Sequence, residues 1–146
     1  MAGGPTNPTE QYFKDGQWGW DGTQWRKLAL SWGYSDRYAE SLTGVSVGPG
    51  ATYVYGTTVP AGEVWVVEAV AVKHNDPVAR NVQIHAVAPG VGMVVAETLG
   101  AITWGITYFV GRMTFKAGDR VRVQGWNVAV GQTVYLEAWG YKMRIG

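Results

Sequence analysis

The chain has 146 residues, of which 47% are hydrophobic and 16% charged, with a net charge of +1 and no cysteine. That length and apolar content supply one domain with a sizeable core, plus an appendage. The near-neutral balance gives no basic stripe for a polyanion, and the missing thiols exclude disulfide staples and thiolate metal sites.

Residues 1–11 are mostly Gly, Pro, Thr and Asn, without periodicity. They lack the charged n-region and apolar h-region of a secretory signal. No continuous apolar run reaches the length that spans a bilayer. Synthesis in a cytoplasm and no membrane partner are therefore expected. Residues 12–40 hold four of the eight tryptophans, Trp18, Trp20, Trp25 and Trp32, together with Tyr12, Tyr34 and Tyr38. The stretch has no sustained helix or strand period. Asp15-Gly16 and Asp21-Gly22 are turn signals. Between them, Gln17–Trp20 reads as a short strand with Thr23–Leu28 as its hairpin partner. Ser35–Glu40 reads as one helical turn capped by Ser35.

From Val45 onward the pattern changes. Strand-like segments are 51–56, 63–73, 79–87, 92–97, 102–113, 119–125 and 133–144. Turn signals separate them at Pro49-Gly50, Pro60-Ala61-Gly62, Asn75-Asp76-Pro77, Pro89-Gly90, Lys116-Ala117-Gly118 and Val130-Gly131. Regular short strands with such punctuation predict an all-β sandwich or barrel. In Asp119–Gln124 the alternation is clean, with Val121 and Val123 inward and Arg120, Arg122 and Gln124 outward. Glu63–Lys73 is apolar on both faces apart from Glu68, which predicts a central strand. The entry turns Pro60-Ala61-Gly62-Glu63 and Lys116-Ala117-Gly118-Asp119 echo each other 56 residues apart. Two halves with one entry turn suit a jelly roll, a pair of Greek keys. The expected architecture is thus all-β: an antiparallel, jelly-roll-like β-sandwich at residues 45–146, preceded by an extended, aromatic-rich N-terminal arm at residues 1–44.

Residues suited to catalysis are sparse. The two histidines, His74 and His85, lack the third ligand of a metal site. There is no Gly-x-Ser-x-Gly elbow and no phosphate-cradling loop before a helix. Glu68 is the one carboxylate in an apolar strand. Pairing with Arg80, Arg120 or Arg122 is its expected state, ahead of a perturbed catalytic acid. No catalytic residue, metal or cofactor is expected. The arm's cations are balanced by its acids, so no nucleic-acid partner is expected either. The aromatics point to contact. Trp18, Trp20, Trp25, Trp32, Tyr34 and Tyr38 are expected to dock the arm on another surface. Trp104, Tyr108, Trp126 and Tyr135 are candidates for an oligomer interface or for stacking on a glycan.

Gly19-Trp20-Asp21-Gly22-Thr23-Gln24-Trp25-Arg26-Lys27-Leu28 resembles a segment near the N-termini of small structural proteins of tailed bacteriophages. The strands beginning at Val59-Pro60-Ala61-Gly62-Glu63-Val64-Trp65 and Phe115-Lys116-Ala117-Gly118-Asp119-Arg120-Val121, and the closing Glu137-Ala138-Trp139-Gly140-Tyr141, are similar to those of the β-domain that follows there. The segment Ser31–Tyr38 is richer in aromatics than that pattern. The resemblance implies a non-enzymatic virion protein, homotrimeric, bound to the major capsid protein or another virion protein. The implied role is capsid decoration or cementing. The alternative is a receptor- or glycan-binding module at a head- or tail-fibre tip, with a host surface glycan as partner.

Overall fold

The structure is a computed structural model that describes residues 18–20, 25–27, 36–101 and 106–144, with side chains within 36–98 and 106–143. Ten strands and no helix are present among the described residues. They are β1 (Trp18–Trp20), β2 (Trp25–Lys27), β3 (Asp36–Val45), β4 (Ala51–Tyr55), β5 (Glu63–His74), β6 (Arg80–Ala88), β7 (Val91–Ala101), β8 (Thr107–Lys116), β9 (Arg120–Trp126) and β10 (Thr133–Arg144). The expected short hairpin is there as β1–β2, antiparallel, with Trp20 opposite Trp25. It forms a sheet of its own.

The other eight strands form two antiparallel four-stranded sheets, ordered β3-β10-β5-β8 and β4-β9-β6-β7. Successive strands from β3 to β6 alternate between the sheets, as do those from β7 to β10, and this weaving is the strand order of a jelly roll. The core lies between the sheets. Val67, Val70, Val72, Val134 and Leu136 face Val54, Val82, Ile84, Val121 and Val123, all buried. Each such side chain contributes roughly 1.5–3 kcal/mol on leaving water. The alternation expected for β9 holds from Arg120 to Val123 but not at Gln124, which is on the outer row yet buried between its neighbours. β5 is interior to its sheet, as its two apolar faces required.

Two places depart from the sequence expectation. Residues 35–40 make no helical turn in the described part. Asp36–Val45 is a full strand, paired along its length with β10, so the sandwich begins at residue 36 and not at 45. The reason is tertiary. The unpaired edge of β10 offers a ladder of hydrogen bonds, and Tyr38 and Leu42 on alternate positions meet the core. Strand bounds also shift at the β7–β8 connection, where β7 runs on to Ala101 and β8 ends at Lys116. Thr107 donates a side-chain hydrogen bond to Thr98 across this join.

Polar ties close one end of the sandwich, where the chain crosses between sheets at residues 127–132. Ser46 Oγ donates to Val128 O at 2.7 Å. Gly50 N donates to Asn127 Oδ1 at 2.8 Å, and Thr133 N to Asn75 Oδ1 at 2.6 Å. Buried Asp76 accepts from Val78 N, Ala129 N and Arg80 Nε at 2.7–2.9 Å. Burial by itself would raise this carboxyl, but those donors hold it at about 2.

At the middle of the first sheet the register of β10 against β5 shifts between Trp139 and Gly140, and that of β5 against β8 shifts between Val67 and Ala69. Glu68 is the extra residue against β10, whereas against β8 it stands alone opposite Gly111 and Arg112. A β-bulge re-aims side chains and increases local twist.

Candidate functional site

Each sheet has an outer face, and the two faces differ in chemistry. Directly paired residues share a face, so the registers give the layout. On the first sheet one row runs Ala39, Trp139, Ala69, Val110, and the next runs Ser41, Glu137, Ala71, Tyr108. Val110 is 72% exposed, Tyr108 66% and Trp139 47%. Small residues between the large ones leave the face low. Beside Trp139 lies a groove of about 630 Å³, lined among the described residues by Arg37, Ala39, Glu68, Trp139, Gly140 and Tyr141. Glu68 is half-exposed and meets Arg112 at 3.9 Å. Its partner is thus none of Arg80, Arg120 and Arg122. The bulge turns the carboxylate outward and away from the other sheet.

On the second sheet the outer rows run Ala51, Trp126, Asn81; then Tyr53, Gln124, Gln83, Glu97; then Tyr55, Arg122, His85, Val94. This face is polar and aromatic. The Arg120 guanidinium lies over the Tyr55 ring at 4.2 Å and that of Arg122 over Tyr53 at 4.7 Å. A directed chain of hydrogen bonds crosses the sheet. Arg122 Nε donates to His85 Nδ1 at 3.4 Å, His85 Nε2 to Gln83 Oε1 at 3.1 Å, and Gln83 Nε2 to Glu97 Oε1 at 2.7 Å. The chain requires neutral His85 with its proton on Nε2. Burial first, and then the Arg122 charge, push its pKa down, against a smaller pull from Glu97. A cleft of about 260 Å³ opens between Asn81, Gln83, Glu97, Gln124 and Trp126.

The candidates from sequence do not gather in one place. Tyr108 and Tyr135 lie on the first outer face, Tyr135 beneath Lys73 Nζ at 5.1 Å, while Trp126 lies on the opposite one. Trp104, Trp32 and Tyr34 fall outside the described residues, as do the side chains of Trp18, Trp20 and Trp25. Tyr38 is corrected. It is buried, its ring 4.8 Å from that of Trp65, and its hydroxyl donates to Glu40 at 2.8 Å. It belongs to the core of its own sandwich and offers no docking surface. Burial first, and then the Glu40 carboxylate, push its pKa up, so the hydroxyl stays protonated. His74 is likewise fully buried, on the inner side of β5. Trp139, Val110, Gln83 and Glu97 were not singled out. Strand alternation alone places them outward, but a contact row needs the pairing of strands distant in sequence. Among the described residues no group of three His, Asp or Glu side chains is placed to hold a metal ion.

No protein family matches the sequence, and no curated protein does. Several solved structures are similar in shape. A crystal structure of PirA is 13% identical, with 69% of this chain and 93% of that one covered at a TM-score of 0.44. The virus-like particle of the giant freshwater prawn Macrobrachium rosenbergii extra small virus is 13% identical, with 71% and 78% covered at 0.35. The N-terminal cellulose-binding domain of Cellulomonas fimi β-1,4-glucanase C is 15% identical, with 87% and 86% covered at 0.30. Likenesses this distant carry no functional argument, and the jelly-roll assignment rests on the strand order of the chain itself.

Proposed function

We propose that the chain is a non-enzymatic virion structural protein of a tailed phage, a capsid decoration or cementing protein that self-associates through the first sheet and attaches through its N-terminal arm. The carrying observation is the outer face of β3-β10-β5-β8, where Val110, Tyr108 and Trp139 stand exposed over a floor of alanines. Large exposed apolar side chains gathered on one sheet face of a small protein support an interaction face, and their aromatic content is that of an interface centre. Cyclic trimers are a common closed arrangement, and several arms held on one particle raise apparent affinity through effective concentration. The titratable groups with clearly shifted pKa serve structure in this reading: Tyr38 and Asp76 tie the sandwich, and His85 orders the second face.

The test is sedimentation velocity on the full chain and on Val110→Glu/Trp139→Glu, together with binding to undecorated particles. The wild type is expected to sediment as an oligomer and the double variant as a folded monomer with weakened particle binding. Removal of residues 1–35, which spares β3, is expected to abolish attachment. A wild type that stays monomeric at working concentrations and leaves particles bare refutes the reading.

A further inference from the structure

We infer that the opposite face, the outer side of β4-β9-β6-β7, carries a binding cleft for a neutral sugar chain, centred on Trp126 and Gln124. Three observations converge there. First, Trp126 is 46% exposed at the cleft wall, with only Ala51 beside it on β4 and Asn81 on β6. A flat indole flanked by small or planar neighbours accepts the C–H face of a pyranose ring. Second, Gln124 lines the same cleft from the outer row of β9, between Tyr53 and Gln83, and its amide carries both donors and acceptors for a hydroxyl group there. Third, the opposite wall is already ordered. The chain from Arg122 through His85 and Gln83 ends on one carboxylate oxygen of Glu97, so Gln83 and Glu97 are held in place before any ligand arrives.

The chemistry selects the ligand class. Amides and a carboxylate present paired polar atoms that match adjacent hydroxyl groups. Among the described residues the cleft lining contains one acid and no base, which disfavours phosphate, sulfate and sialic acid. The two arginines of this face are engaged instead, stacked on Tyr53 and Tyr55. The cleft volume of about 260 Å³ admits one or two sugar residues, with the rest of a chain running across the sheet. This surface is separate from the self-association face, so its occupancy does not depend on the assembly role.

The experiment uses the full chain, isotope-labelled, titrated with neutral hexasaccharides built of glucose, mannose, galactose or xylose. A sialylated oligosaccharide and a heparin fragment form the anionic arm. Binding of at least one neutral hexasaccharide is expected, with shifts concentrated on the Trp126 indole N–H and the Gln124 side-chain amide. Trp126→Ala and Gln83→Leu are each expected to weaken it at least about tenfold, while Val47→Ala, at an exposed position outside both faces, leaves it unchanged. The mapping on the wild type keeps the test valid if a variant fails to fold. No shift with any neutral sugar up to about 5 mM, shifts confined to other surfaces, or binding of the anionic arm alone overturns the proposal.

Discussion

Among the described glycines, Gly140 is the position where the fold is most exposed to a single methyl group. A Cβ built there lies 2.9 Å from the carbonyl carbon of Val66 and 3.0 Å from Val67 Cα, with the Val66 oxygen closer still. Carbon pairs settle at about 3.5–4.0 Å, and every atom met is backbone, so no rotamer change relieves the overlap. β10 must move away from β5 where their register shifts. Opening that join leaves one or two buried ladder groups unpaired, at about 1–3 kcal/mol each. Gly140→Ala is therefore expected to cost about 3–5 kcal/mol, a large fraction of the stability of a domain this size. Gly48→Ala is the control, because nothing lies within 4 Å of its added Cβ, and a change of no more than about 0.5 kcal/mol is expected. Urea unfolding followed by tryptophan fluorescence measures both. A Gly140→Ala protein within about 1 kcal/mol of wild type would show that the two strands tolerate separation, and the reasoning from close backbone approach would fail.

Two further outcomes follow from the polar and aromatic ends of the sandwich. Tyr38→Ala empties a core site against Trp65 and is expected to destabilise by about 3–5 kcal/mol in urea unfolding; unchanged stability with lost particle attachment would return Tyr38 to a docking role. Asp76 has a folded carboxyl at about 2, below its ordinary 3.8, so its stabilisation is present above pH 4 and is lost as pH falls toward 2. Unfolding midpoints that stay level across that window, or an Asp76→Ala variant costing much less than about 3 kcal/mol, would remove it as a tie between the residue 127–132 crossing and β6.

Much of the β-domain was readable one strand at a time. The expectation for 133–144 matches β10 in both bounds, and 63–73 misses only the last residue of β5. The turn signals at Pro60-Ala61-Gly62 and Lys116-Ala117-Gly118 precede β5 and β9 as expected, with Gly62 and Gly118 at φ of +80° and +92°. β3 was missed because its local signal is weak. Asp36, Arg37, Glu40 and Ser41 dilute the alternation, and the strand owes its state to the hydrogen-bonding edge of β10.

Local chemistry by itself determined which stretches of the β-domain after β3 extend, where they turn and, in β9, that Val121 and Val123 face inward between outward arginines, because period-two alternation and turn residues act over a few positions. Only the tertiary structure decided what those side chains stand beside. Trp126 is separated from Asn81 by 45 positions and Val110 from Trp139 by 29, yet the first pair is adjacent across two strands and the second lies in one row. Such neighbours arise from sheet pairing between distant segments, which the jelly-roll weave sets through burial of the whole core. A surface made of one residue from each of three or four strands has no signature in any single one of them.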